Sequence, residues 1–259
     1  TMLGKAIGPG DDYAESWEIV DHGRDQTMVV DGPWAGWTLR RLIEGFPEIL
    51  LGETNKDATF PLLLKYLDCN RVLSVQVHPN DAYGLRMPVP DLGKTEAWYV
   101  LQADKGSRIY AGLKIGIDRK SLEELILAGR SEEALHVLEP KQGDCVYIPA
   151  GTVHALGEGL LVAEIQQASD TTFRLYDWDR LDQNGIGRPL HIRQALEVID
   201  FERGPVDFAL PVPLSSGGDR MVQCDKFTLD RYNQSIRLEI PNDDRFRIVT
   251  VVKGNSEIQ

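Results

Sequence analysis

A serine, a glutamine and a histidine stand at alternating positions of Leu73 to Pro79, which reads L-S-V-Q-V-H-P. On a β-strand that spacing puts Ser74, Gln76 and His78 on one face and Leu73, Val75 and Val77 on the other. A buried hydroxyl, amide and imidazole each need a hydrogen-bond partner or a ligand to offset desolvation, and a bound metal ion supplies one. Other strands carry chemistry in the same way. Glu96, Trp98 and Val100 share a face of E-A-W-Y-V-L, and Lys94 joins them if that strand begins early enough. Val162, Glu164 and Gln166 share a face of 160–167, and Arg174, Tyr176 and Trp178 share one of 172–178. His154 closes G-D-C-V-Y-I-P-A-G-T-V-H, a strand, a tight Pro-Ala-Gly turn and a return strand.

The elements that must hold these residues are short strands. Glu15 to Val20 reads as a strand, and Gln26 to Val30 leads into the Asp31-Gly32-Pro33 turn. Thr38 is placed to cap a helix with Leu39, Leu42, Ile43 and Phe46 on one face, closed by Pro47. After the Pro- and Gly-rich loop 80–93, strands follow at Glu96 to Leu101 and around Arg108 to Leu113. Ser121 with Glu124 predicts a capping box for a helix over Leu122 to Ala128, and Ser131 a shorter helix through Leu138. His191 to Ile199 reads as helical. Of the remaining histidines, His22 falls in a turn, His136 on the short polar helix and His191 near a helix start, so none is a candidate for chemistry. Pro205 to Gly218 is rich in Pro, Ser and Gly and reads as a linker. Beyond it, Val222 to Asp230, Ile236 to Ile240 and Phe246 to Val252 read as strands. The expected organisation is a metal-binding catalytic domain over 1–204 with helical insertions, a linker over 205–218, and the start of a second β domain over 219–259. Half a β domain leaves open edges, so the natural chain is expected to continue past Gln259 or to have that edge covered by another chain.

Composition excludes several classes. With 42% hydrophobic and 26% charged residues in 259, the chain is an ordinary globular one that can bury a core unaided. No apolar run approaches the ~18 residues of a membrane helix, and no signal-peptide pattern opens it, so a cytoplasmic location is expected. A net charge of −12 argues against nucleic acid and anionic membranes as partners, leaving a small anionic substrate in a local basic pocket. Cys69, Cys145 and Cys224 are odd in number and far apart, which predicts neither a disulfide framework nor a thiolate zinc site.

Closely spaced short strands punctuated by Gly and Pro predict a mainly β fold, a jelly roll or barrel with a few short helices. Gly143, Pro149, Gly151 and His154 match the second cupin motif, G-x5-P-x-G-x2-H, at every fixed position except its terminal Asn. The first cupin motif is absent, and Gln76-x-His78 with Glu96 after Lys94-Thr95 stands in its place. Q-V-H-P, G-K-T-E, P-A-G-T-V-H and E-I-Q-Q-A-S-D-x-x-x-R-x-Y-D-W, in that order, together resemble the type I mannose-6-phosphate isomerases of the cupin superfamily, particularly their short bacterial branch. The likeness runs from about Glu15 to Asp200, and E-S-W-E is similar to that family's N-terminal strand.

The resemblance implies one zinc ion per chain, held by Gln76, His78, Glu96 and His154, a donor set without thiolates that leaves room for water or substrate. It implies a zinc-dependent aldose-ketose isomerase that interconverts mannose 6-phosphate and fructose 6-phosphate. An ammonium beside a divalent cation gives up its proton more readily, which suits Lys94 to carry the proton. Glu164, Asp170 and Arg174 match positions the family places around its substrate: Arg174 for a developing enediolate oxygen, Asp170 for ring opening, Glu164 as partner of either base. Ser74 is the candidate phosphate anchor, with Arg86 from the 80–92 loop behind it. Asp177, Asp179 and Arg180 read as a solvated, salt-bridged turn. Gly93 stands where the family often has a histidine, so ring opening here is expected to use Asp170, water or no catalyst. Two other readings stay open: a metal cupin of another enzyme class, such as an iron dioxygenase, and a sugar-phosphate-sensing cupin without turnover.

Overall fold

The computed structural model of the chain describes residues 3–5, 14–53, 59–233, 237, 239 and 243–257. Its strands and helices, in order, begin with β1 (Glu15–Ile19), β2 (Asp21–His22), β3 (Asp25–Gln26), α1 (Leu39–Gly45) and α2 (Pro47–Leu51). Next come β4 (Leu62–Cys69), β5 (Val75–Val77), α3 (Asp81–Gly84), β6 (Glu96–Ala103), β7 (Ile109–Leu113) and α4 (Arg119–Leu127). They are followed by β8 (Leu135–Leu138), β9 (Cys145–Ile148), β10 (His154–Leu156), β11 (Leu160–Gln167) and β12 (Phe173–Tyr176). The last are α5 (Ile192–Val198), β13 (Val212–Pro213), β14 (Asp219–Gln223) and β15 (Thr228–Arg231).

The strands form two five-stranded antiparallel sheets, in the orders β1-β4-β11-β6-β9 and β12-β5-β10-β7-β8. Leu67, Trp98, Val100, Val146 and Val162 of the first meet Ile109, Ala111, Leu138 and Leu156 of the second in one buried cluster, so the sheets pack face to face as a jelly roll. Their outer faces are also covered. Leu122 of α4 and Ala195 and Leu196 of α5 pack on Val75, Val77, Phe173 and Leu175. Ile43 and Leu51 of the N-terminal helices pack with Leu62, Ala97 and Cys145. Val75 and Val77 thus belong to the outer layer, and the alternate positions of that strand turn into the barrel.

Local chemistry explains most element ends. Thr38 accepts from Arg41 N at 3.2 Å and starts α1. The helix expected over Leu122 to Ala128 begins earlier, because Asp118 rather than Ser121 is its cap: Asp118 accepts from Ser121 N at 2.8 Å while Ser121 Oγ accepts from Asp118 N at 2.9 Å. The second expected helix is only a 3-10 turn at Ser131–Ala134, after which Leu135–Leu138 pairs with β7, so His136 lies on a strand. Val222 to Asp230 is two strands, not one: the chain reverses at Cys224, whose N–H reaches Phe227 O at 3.0 Å. Phe246 to Val252 forms no strand, and the expected strand at Ile236 to Ile240 falls largely outside the described residues.

The segment read as a linker runs along the barrel. Pro205 bridges to Gly112, Phe208 to Val146, and Ala209 N donates to Cys145 O at 2.8 Å. The approach at Gly112 is close enough that a Cβ there would lie 2.3 Å from Gly204 O, and its φ of 80° also favours glycine. Met221, Val222 and Phe227 of the β14–β15 hairpin are buried in the cluster that contains Leu62, Ala97 and Cys145, so hairpin and barrel share a core. The three cysteines are free, and among the described residues no helix is long and apolar enough to cross a membrane.

Candidate active site

β6, β10 and the residue that follows β5 bring Glu96, His154 and His78 together. His154 on β10 pairs directly with Gln76 on β5, and Glu96 opens β6 in the facing sheet. One donor atom from each of the three lies within 4.8 Å of the others, and all three side chains are buried. His78 Nε2 is 3.3 Å from Glu96 Oε1, and His154 Nε2 is 3.6 Å from Glu96 Oε2.

The histidine protons can be placed from their other partners. His78 Nδ1 lies 2.8 Å from Thr171 O, and His154 Nδ1 lies 2.9 Å from Thr152 O. A carbonyl only accepts, so each Nδ1 carries the proton and each neutral ring offers Nε2 as a lone pair. Burial, then the Lys94 charge, pushes the His78 imidazole down to about 3, and burial lowers His154 as well, so both are neutral. Glu96 titrates in the opposite sense. Burial resists its ionisation, but the Lys94 charge beside it outweighs burial and holds the carboxyl well below its usual range. Lone pairs therefore face a carboxylate. Among the described residues, His78 Nε2 and Glu96 Oε2 are buried with no hydrogen-bond partner. Buried acceptors aimed at one another are unfavourable unless a cation lies between them, and two neutral imidazoles with a carboxylate suit a divalent one. The carbonyls on Nδ1 fix ring orientation in the manner typical of metal-binding histidines.

Gln76 reaches the same place. Its Nε2 is 3.3 Å from His154 Nε2, and a half-turn of the amide exchanges that donor for Oε1, an acceptor. Lys94 is buried, with Nζ 2.9 Å from Glu96 Oε1.

A second buried charge group lies in the same barrel. Lys65 on β4, Glu164 on β11 and Trp98 on β6 form one cross-strand row. Lys65 Nζ is 3.1 Å from Glu164 Oε1, and Trp98 Nε1 donates to Glu164 Oε2 at 3.0 Å while its ring meets His154 edge-on at 5.2 Å. Burial, then the Glu96 charge, pushes the Glu164 carboxyl up to about 7, against Lys65 and Lys94. Burial would lower Lys65, but Glu164, Glu15 and Glu96 outweigh it and keep the ammonium charged. Lys65 escaped the sequence reading because it sits in the apolar run L-L-L-K-Y-L; a lone charge inside such a strand is itself the signal that could have found it.

The other candidates separate into two groups. Ser74 and Arg174 meet, with Arg174 Nε donating to Ser74 Oγ at 3.2 Å and Nη1 to Pro189 O at 3.0 Å. Burial, then the neighbouring Arg188 charge, lowers the Arg174 guanidinium, with Asp177 opposing them. Asp170 and Arg86 lie at the surface instead. Asp170 N donates to Asp91 Oδ2 at 3.3 Å, and Arg86 Nε donates to Ala82 O at 2.7 Å on the short helix α3. Asp177 corrects the reading of a solvated turn. It is buried, and Arg180 and Arg188 both bind it. Gly93 has a packing reason, since a Cβ would lie 2.4 Å from Asp81 N. Gly93→Ala is therefore expected to lower the thermal midpoint by several degrees, and a variant as stable as wild type would contradict this close approach.

A jelly-roll barrel with a buried His/Glu/His cluster between its two sheets defines a cupin with a metal-competent centre. Residues 5–105 match the family of phosphomannose isomerase type I catalytic domains. The chain is 36% identical over 254 residues to the mannose-6-phosphate isomerase ManA of Bacillus subtilis, covering 96% of this chain and 79% of the relative. It is 37% identical over 253 residues to that of Streptococcus mutans, covering 96% and 78%. The crystal structure of the mannose 6-phosphate isomerase from Bacillus subtilis superimposes with a TM-score of 0.79 at 34% identity, covering 88% of this chain and 72% of that one. The chain belongs to the type I phosphomannose isomerase family.

Proposed function

We propose that the chain interconverts mannose 6-phosphate and fructose 6-phosphate by proton transfer, with zinc held by Gln76, His78, Glu96 and His154. The observation that carries this reading is the pair of partnerless buried acceptors, His78 Nε2 and Glu96 Oε2, with the Lys94 amine beside them. An aldose and its ketose differ by a proton moved between C1 and C2 through a cis-enediol. When bound, zinc supplies a Lewis acid that orients and polarises the sugar oxygens.

The remaining work falls to side chains. Lys94 takes the proton from C2 and returns it to C1, while a hydroxyl proton passes from O2 to O1. Its chain segment keeps the amine on the cluster side of the barrel. Arg174 stabilises the developing enediolate charge, and Ser74, whose Oγ accepts from Arg174 Nε, is the candidate phosphate anchor. Arg86 is the weaker anchor, since its Nε is engaged by Ala82 O. Glu164 sets the charge around the bases through Lys65, and Asp170, exposed at the surface one residue from the Thr171 carbonyl that holds His78, assists ring opening. The substrate is a small sugar phosphate, which a chain of net charge −12 binds only through a local basic site.

Metal content tests the ligand set. The purified protein is expected to hold about one zinc per chain, and His154→Ala to lose it while keeping its fold, because the two sheets close on apolar contacts. Full zinc occupancy in His154→Ala would overturn the assignment. The proton route has its own readout. A proton resident on an amine exchanges with water, so fructose 6-phosphate converted in heavy water is expected to yield mannose 6-phosphate carrying deuterium at C2, and the reverse reaction deuterium at C1. Product free of deuterium would mean a hydride shift. A protein that binds sugar phosphate and never turns it over would be a sensor.

A further inference from the structure

The loop between His78 and Lys94 carries a carboxylate that ends on both sides of the candidate proton carrier. Asp81 Oδ1 accepts from Gly93 N at 2.8 Å and from Gln167 Nε2 at 2.9 Å. Gln167 is buried, and its Oε1 accepts from Thr95 N at 3.1 Å. The amides on either side of Lys94 are therefore fixed to one carboxylate, directly at residue 93 and through an amide side chain at residue 95. The Lys94 amide itself goes to Pro79 O at 3.0 Å. The other oxygen of Asp81 faces the C-terminal hairpin, where Lys226 Nζ lies 2.8 Å from Oδ2. Lys226 stands in the β14–β15 turn, and its neighbours Met221, Val222 and Phe227 are buried against the barrel. The absence of a side chain at Gly93 is what lets the backbone of Asp81 come this close.

We propose that Asp81 is a positioning residue that holds the 93–95 segment so that Lys94 Nζ stays at the metal cluster, and that Lys226 makes the C-terminal hairpin part of this brace. The proposal rests on Lys94 being the proton carrier. Before β6 begins, the Lys94 segment has two backbone bonds to the rest of the barrel, Lys94 N to Pro79 O and Gln167 N to Thr95 O at 3.2 Å, so sheet pairing reaches it only at Thr95 and leaves residues 93 and 94 to be held by other means. Misplacing a reacting group by about 1 Å costs on the order of 10²-fold in rate. A partly exposed ion pair such as Asp81–Lys226 contributes much less than the hydrogen bonds behind it.

The test uses the zinc-loaded full chain, with mannose 6-phosphate kinetics and amide hydrogen exchange on the same samples. Asp81→Ala is expected to lower kcat about 10–100-fold with KM within about threefold. Exchange at the Gly93 and Thr95 amides should quicken at least about tenfold, while Ala97 to Val100 in β6 stay protected. Asp81→Asn keeps an acceptor for Gly93 and recovers most of the rate. Lys226→Met lowers kcat about threefold in the wild-type background and has no further effect in Asp81→Ala. Wild-type kcat in Asp81→Ala overturns the proposal, and so does exchange that rises equally through β6, which is general loosening. If Asp81→Ala fails to fold, Gln167→Met, which breaks the link from Asp81 to Thr95 N, is measured in the same way: faster exchange at Thr95 with lowered kcat supports the proposal, and neither change overturns it. A wild-type chain with no turnover would sink the functional reading alone, because exchange still reports whether Asp81 holds the segment.

Discussion

Lys94→Met is expected to lower kcat by about 10²–10⁴-fold while KM for mannose 6-phosphate and zinc content stay close to wild type. The size follows from the role. A general base acts in the transition state, whereas on the proposed reading the phosphate anchor and the metal ligands hold the bound sugar before and after it. Methionine fills the volume of the lysine stem, so the barrel is not opened by the change. The loss of Nζ, 2.9 Å from Glu96 Oε1, leaves that carboxylate to its two imidazole neighbours and the metal, so kinetics are measured with zinc bound. Near-normal turnover would mean that another group is the base. Glu164, with its carboxyl pushed up to about 7, and Asp170 would be the next variants to make.

The strands that carry the cluster were legible because alternation is a local rule. In 160–167 the pattern sorts residues to faces, and pairing follows it residue by residue with β4 and, from Val162 on, with β6 beyond a register shift at Leu161. His154 could be placed in the barrel from the Pro149 to Gly151 turn, since that turn fixes the direction of the next strand. The same rule is blind where both faces of a strand are buried. Leu62–Cys69 is covered on one side by the N-terminal helices and on the other by the second sheet, so its apolar residues run on without alternation and Lys65 is hidden among them. Contacts between distant segments were also out of reach. Asp81 with Lys226, and Asp177 with Arg188, join residues whose local sequence reads as solvated loop. The apparent linker misled for a related reason: Pro and Ser gave it a flexible composition, yet its backbone bonds to Gly112 and Cys145 come from the barrel edge it happens to meet.

The buried Lys65 supports the second large effect, on stability rather than rate. Lys65→Met removes the ammonium 3.1 Å from Glu164 Oε1 and leaves a buried carboxyl with only the Trp98 N–H. Breaking one partner of a buried pair costs about 3–5 kcal/mol, because the remaining charge is uncompensated. The cost depends on pH with a definite sign. Glu164 is raised in the folded state, from 4.5 to about 7, so its contribution is fully present below 4.5 and is lost as pH rises through about 7. Without the ammonium that opposes it, the folded value moves higher still. Denaturant unfolding of zinc-matched wild type and variant should therefore show the larger gap at pH 8, where Glu164 must ionise in a dry site, and a smaller one at pH 5, where it holds its proton. Lys65→Met combined with Glu164→Gln keeps an acceptor for Trp98 and removes the charge, and it should recover most of the loss at pH 8. A Lys65→Met protein as stable as wild type at pH 8 would show that Lys65 and Glu164 do not share the barrel interior as a charged pair.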